Sequence, residues 1–234
     1  MKYSDENELI KIIKMYFSDT IAASSKITDS CLLINGINIH TKEPLRWFME
    51  DDTKPIMSSI TRQIHLLKAF KLFSAVTGEN FFVERYYDIL KLYFSNYQNP
   101  NGLINWGGHV FIDLETMKPT GPVNKKMRHE LKNTFPDYDT MHQVNPEATL
   151  KFIRSFWGSH ISDKDSLVIT RHGFIDDDID FDFSTYQPSK MNSIISSSLT
   201  FLNSANDLVY AALKYYKYTK DINAVRVSEQ LLNK

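Results

Sequence analysis

Hydrophobic residues recur at helical spacing over much of the chain. From Glu6 to about Ala23, Leu9, Ile12, Ile13, Tyr16 and Phe17 fall on one helical face. Residues 57–76 carry Ile60, Ile64, Leu67 and Phe70 at the same period, and Thr77-Gly78 supplies a stop. The period resumes over 79–98 through Phe82, Tyr86, Ile89, Leu90 and Tyr93. Two helices and a tight turn predict an αα-hairpin. Asn145-Pro146-Glu147 has the cap and first-turn residues of a further helix reaching about His160. Another is predicted from near Ser189 to Lys217. Between the first two helices, CLLINGINIH alternates like strand around Asn35-Gly36, a pair that favours hairpin turns.

The hairpin pattern recurs weakly. Slid by 142 residues, Ala69, Phe73, Thr77, Glu79, Ile89 and Leu90 fall on Ala211, Tyr215, Thr219, Asp221, Leu231 and Leu232. This is either coincidence among amphipathic helices or the mark of stacked hairpins, as in a solenoid or toroid. The final residues, VRVSEQLLNK, stop inside an amphipathic pattern without a glycine cap. Repeat folds need a polar terminal unit, so residues 1–234 are expected to form one domain that is the N-terminal portion of a larger helical fold.

Composition narrows the function classes. Lys and Arg number 27 against 28 Asp and Glu, a net charge of -1, which leaves no global field for nucleic acid or membrane. Cys31 is the single cysteine, so an internal disulfide framework and multi-cysteine zinc modules are excluded. No apolar run approaches the ~18 residues of a membrane span. The opening MKYSDENELIKII puts acids where an export signal has basic and apolar regions, so the sequence predicts a cytoplasmic protein. Aromatic residues make up 13% of the chain, enough for a filled core or a sugar-stacking groove.

The helical rhythm breaks between Asn99 and Gly173, and an irregular, β-like segment is expected around 99–144. Five of the seven histidines fall in this interval: His109, His129, His142, His160 and His172. Inserted loops on a helical scaffold are where function concentrates. His160 ends a predicted helix, a structural place for an imidazole, and His142 reads as a surface residue. His109, His129 and His172 are each open between a satisfied buried histidine and a ligand. Glu130 beside His129 makes an imidazole–carboxylate set suited to Mn, Fe, Co, Ni or Zn, although the long intervals match no short metal motif. Arg171 and His172 are adjacent, so sharing one pocket requires irregular backbone, which Gly173 could supply. Lys125, Lys126, Arg128 and Lys132 form either a solvated helix end or a docking strip for a polyanion. Trp106 is either core or a stacking platform.

Taken together, Asn-Trp-Gly-Gly-His at 105–109, His-Glu-Leu-Lys at 129–132, Asn-Pro-Glu-Ala-Thr at 145–149, Phe-Trp at 156–157 and Arg-His-Gly at 171–173 resemble the polysaccharide lyase family 2 pectate lyases. The resemblance covers roughly residues 57–220. It implies an all-α fold, an (α/α)7 toroid of helical hairpins, and metal-assisted β-elimination on polygalacturonate or oligogalacturonides. It further implies His109, Glu130 and His172 as metal ligands, with Mn ahead of Co, Ni and Zn, and Arg171 as base, although the usual role of an arginine beside a uronate is to clamp its carboxylate. Trp106, Arg128 and Lys132 are the candidate substrate contacts. Members are more than twice this length, so the toroid here is incomplete and a second polypeptide could complete it. A cytoplasmic member would meet only short substrates, which favours exo action. The competing readings are a truncated oligouronide binder without activity and a metal-dependent glycan hydrolase.

Overall fold

Ser59 starts the first well-defined hairpin: its side chain accepts a hydrogen bond from the Arg62 N–H and caps helix α2 (Ile60–Thr77). Gly78 ends that helix in the left-handed region at φ 75°, returning its N–H to the Ser74 carbonyl. Helix α3 (Phe81–Asn96) follows. The structure is a computed structural model that describes residues 6–49, 52–121, 126–132, 134–163, 168–179, 181–185 and 202–232. The helix expected from near Ser189 begins outside the described residues, as does Lys125 of the basic cluster.

Among the described residues the chain is mostly helical, with three small sheets. It divides into two compact units, Met1–Ile89 with Phe111–Thr120, and Leu90–Val110 with Gly121–Lys234. In the first unit, helix α1 (Glu6–Ser25) inserts Phe17 among Phe70, Phe73 and Phe82, with ring centroids 4.8, 5.5 and 5.6 Å away. Of the residues expected on the inner face Phe17 is buried, but Leu9 and Tyr16 are exposed, and the buried stripe continues through Ile21 and Ser24. Every predicted core position of α2 and α3 is buried. Strands β1 (Met57–Ser58), β2 (Phe111–Asp113) and β3 (Lys118–Thr120) form an antiparallel sheet in that order.

No turn forms at Asn35-Gly36. Gly36 lacks the positive φ such a turn requires. The chain reverses over 38–43, where the Asn38 side chain accepts from the His40 and Thr41 N–H groups at 2.9 and 3.1 Å. Asn35 is used elsewhere: its side-chain oxygen accepts from the Ser59 N–H and from Gln63.

The second unit holds β4 (Met127–Glu130), α4 (Tyr138–Val144), α5 (Pro146–His160), β5 (Ile161–Asp163), β6 (Val168–Ile169), β7 (His172–Phe174), α6 (Leu202–Thr219) and α7 (Ile222–Leu232). The expected irregular segment is therefore corrected in two ways. Its end is helical, because Asp137 caps α4 through the Thr140 N–H, and strand pairing extends beyond it to β7. Asn145 caps α5 by accepting from the Ala148 N–H at 3.0 Å, with Pro146 in the first turn as expected. Helix α5 is the unit's core, with Phe152 and Trp157 fully buried and the Trp157 indole donating to the Leu208 carbonyl at 2.8 Å.

The 142-residue repeat is present at its turn. Thr77 Oγ1 donates to Phe73 and accepts from the Glu79 N–H at 3.3 Å, and Thr219 Oγ1 donates to Tyr215 and accepts from the Asp221 N–H at 3.1 Å. Gly78 and Lys220 share the positive φ, 75° and 63°. The match fails at the far end, where Leu90 is buried and Leu232 exposed.

Asp139 ties α4 to α6. Its carboxylate takes Lys214 at 2.6 Å, Lys217 at 2.7 Å and the Tyr218 hydroxyl at 2.7 Å. Burial would raise its pKa, but these three donors outweigh it and hold the group well below the usual carboxylate range. A depressed folded-state pKa stabilises above the unfolded value of about 4 and is lost as pH falls through and below it. Asp139→Asn should therefore cost about 1 kcal/mol at pH 7, a figure discounted for partial exposure, and clearly less at pH ~2. Urea titrations at the two pH values check this.

Candidate active site

Glu130 ends β4 and is held between two segments. On one side the Trp106 N–H donates to the Arg128 carbonyl at 3.0 Å, and the Glu130 N–H donates to the Trp106 carbonyl at 2.8 Å. On the other, β7 pairs with β4 so that Glu130 faces His172 and His129 faces Gly173, with a bulge between Met127 and His129. The Leu131 N–H donates to the Arg171 carbonyl at 3.0 Å. Residues 105–109 and 171–172 thus meet over one carboxylate.

Gly107 makes the approach sterically feasible. Its φ is 147°, and a Cβ there would lie 2.6 Å from the Cβ of Glu130. The next residue, Gly108, donates its N–H to Glu130 Oε2 at 2.7 Å. The other carboxylate oxygen, Oε1, receives Arg171 Nη2, with His109 Nδ1 at 3.2 Å, Lys132 Nζ at 3.6 Å and His172 Nε2 at 4.0 Å. The glutamate side chain is fully buried, while these four partners are each about one-third exposed.

Burial alone would raise the Glu130 pKa. The Gly108 N–H, then Lys132, His109 and Arg171, outweigh it and keep the group below its ordinary value, so it is a carboxylate at neutral pH. Burial lowers His172; Glu130 opposes that, and Arg171, His109 and Lys132 reinforce the lowering. The imidazole is therefore neutral, with a free lone pair. Lys132 is also anchored through its main chain, whose N–H donates to Asp207 of α6, a carboxyl that burial pushes up to about 7.

Arg171 and His172 line one cavity of about 580 Å³, together with Ser159, Thr170, Asp177 and Asp178. The irregularity that lets adjacent side chains share it is a bend at Arg171, before β7 begins; Gly173 lies within the strand. The Trp106 ring, open in sequence between core and platform, is buried core, and Trp106 serves the site through its main chain. Arg128 donates to the Met127 carbonyl at 2.9 Å, and the acid bearing on it is Asp176. His142 stacks on Tyr218 at 4.0 Å, and His129 and His160 bond to each other in the core.

Two imidazole nitrogens and a carboxylate oxygen are a donor set suited to a divalent transition metal, and separations of 3.2 and 4.0 Å are within the span of donors each ~2.1 Å from one ion. In the present arrangement Arg171 and Gly108 engage the carboxylate. Among the described residues no three His, Cys, Asp or Glu side chains are closed around a single point.

The family described as periplasmic pectate lyase matches residues 30–234. The chain belongs to this family. It is also 32% identical over 215 residues to the pectate disaccharide-lyase of Dickeya dadantii (strain 3937), covering 88% of this chain and 40% of that protein. It thus spans about 40% of the length of the curated relative it matches. The family's periplasmic description overturns the cytoplasmic expectation. That expectation rested on opening residues most of which lie in α1, and a folded helix does not report a compartment. The argument for exo action, which depended on that location, falls with it.

Gly107→Ala tests the close approach. Strain at positive φ and the collision with Glu130 should cost about 1–3 kcal/mol in a chemical-denaturation measurement. A variant as stable as the parent would refute the packing described.

Proposed function

We propose that this site performs pectate-lyase chemistry, β-elimination on polygalacturonate or oligogalacturonides, within a toroid of helical hairpins of which this chain is the N-terminal portion. The observation that carries the reading is the convergence of His109, Lys132, Arg171 and His172 on the buried carboxylate of Glu130. The family membership and the name of the Dickeya relative supply the substrate class.

The C5 hydrogen of a uronate lies α to a carboxylate, and the C4 oxygen of the same ring is the leaving group. Breaking C5–H and C4–O forms the C4–C5 double bond and releases an unsaturated uronide without added water. The difficulty is negative charge accumulating on a substrate carboxylate that is already anionic. Lys132 provides positive charge where the substrate carboxylate would sit, and Glu130 holds it there, so it needs no reorganisation during reaction. His109, Glu130 and His172 would hold a divalent cation, Mn ahead of Co, Ni and Zn, which when bound supplies Lewis-acid neutralisation of that charge. Arg171 takes the C5 proton and passes it to the solvent of the open cavity. Its fixed main chain and partial exposure suit a group that must face both substrate and water.

One assay separates the readings. The chain is incubated with polygalacturonate and Mn, while ultraviolet absorbance of the conjugated product and reducing ends are followed together. β-Elimination raises both signals; a hydrolase raises reducing ends alone, and a binder neither. His109→Ala should abolish turnover with helical circular dichroism intact, and a chelator should do the same reversibly.

A guanidinium is a base only after losing its proton, so turnover should rise toward pH ~9. Loss of activity from pH ~6 upward would remove Arg171 as the base.

A further inference from the structure

His129 and His160 lie beside the candidate site but take no part in it as described. His129 Nδ1 is 2.8 Å from His160 Nε2, and His160 Nδ1 is 2.8 Å from the Thr170 carbonyl oxygen. A carbonyl only accepts, so His160 Nδ1 carries the hydrogen. The neutral ring then has a lone pair on Nε2, and His129 Nδ1–H donates to it. Burial holds both rings neutral, pushing His160 down to about 4 and His129 well below its ordinary value, the latter aided by His160. The direction of the relay is thus set: His129 to His160 to Thr170.

The two ends of this relay are the neighbours of the reacting groups. His129 precedes Glu130 on β4, and Thr170 precedes Arg171. His160 holds Thr170 twice, through its ring and through its main-chain oxygen, which accepts the Thr170 N–H at 2.8 Å. Glu130, His129, His160, Thr170 and Arg171 therefore make a closed loop, completed by the Glu130–Arg171 ion pair. We propose that the His129–His160 pair is a positioning device that sets where Glu130 and Arg171 meet. The proposal rests on the catalytic reading given above.

Packing does not account for the pair. His129 lies against Phe152 and Phe156, with ring centroids at 5.5 and 4.7 Å, and its Nε2 is buried without a hydrogen-bond partner. An acceptor left in that state is unfavourable, and two aliphatic side chains would fill the same aromatic pocket without it. What aliphatic side chains would lose is the directional link from β4 through α5 to Thr170.

The test uses the full chain and its turnover of polygalacturonate. The double variant His129→Leu/His160→Leu should keep or raise the melting temperature while kcat falls at least tenfold and KM stays within twofold. His160→Asn keeps a donor near Nδ1 for Thr170 but no acceptor for His129, and His160→Gln reaches toward His129 but moves away from Thr170. Each breaks one link, so each should lower kcat severalfold with KM within twofold. A double variant with kcat within twofold of the parent overturns the proposal. So does a parent-like kcat in either single variant. If the double variant does not fold, the Asn and Gln variants decide alone.

If the parent chain forms no unsaturated product, the catalytic reading fails and hydrogen exchange decides the positioning separately. The Leu131 and Thr170 amides should then exchange at least tenfold faster in the double variant, beyond any change at Ala148 of α5. Unchanged exchange would overturn the proposal.

Discussion

A carboxylate taken out of water must find its neutralising partners within the protein, and Glu130 imposes that requirement on everything near it. Its side chain is fully buried, so each oxygen needs a donor or a cation. Gly108 gives one oxygen a main-chain N–H, and Arg171, His109 and Lys132 gather at the other. Those partners come from three stretches of chain, which must all reach the end of one strand. Gly107 follows as a necessity, because any side chain there would occupy the space of Glu130. The same carboxylate keeps two cations in place in a site proposed to act on a polyanion.

The helices have a supporting role and a more regular logic. Thr77 and Thr219 close their hairpins with the same pair of hydrogen bonds, and a residue of positive φ follows each. A threonine that bonds back to the preceding turn and forward to the acid after it makes a compact reversal with few requirements elsewhere. Helix α5 connects this scaffold to the site. Its core face holds Phe152 and Trp157, and its last residue, His160, reaches Thr170, the residue before Arg171.

Local rules were reliable where the interaction is local. Gly78, Asn145 and Pro146 mark helix ends by hydrogen bonds or backbone angles that span a few residues, and the structure has them in those roles. The core faces of α2 and α3 follow from spacing alone. Where two local signals compete, the outcome was not legible. Asn35-Gly36 has the composition of a turn, but Asn38 makes the better one and Asn35 is drawn toward Ser59 and Gln63. In α1 the amphipathic face was read too near the N-terminus: Phe17 meets the aromatic cluster and Ile21 is buried, while Leu9 and Tyr16 are exposed.

The sequence by itself determined the helical hairpins, the break in their rhythm after Asn99, and, through motifs held in order, the family; it also named His109, Glu130, Arg171 and His172 as candidates that the structure brings together. Periodicity, capping and motif order are properties of neighbouring residues, so they survive in a one-dimensional reading. Only the tertiary structure decided that β4 pairs with β7, that Trp106 is core, that Arg171 lies at a bend, and that His129 bonds to His160. Those facts depend on pairings between residues about twenty to fifty apart, with the register set by burial of one carboxylate rather than by any local preference.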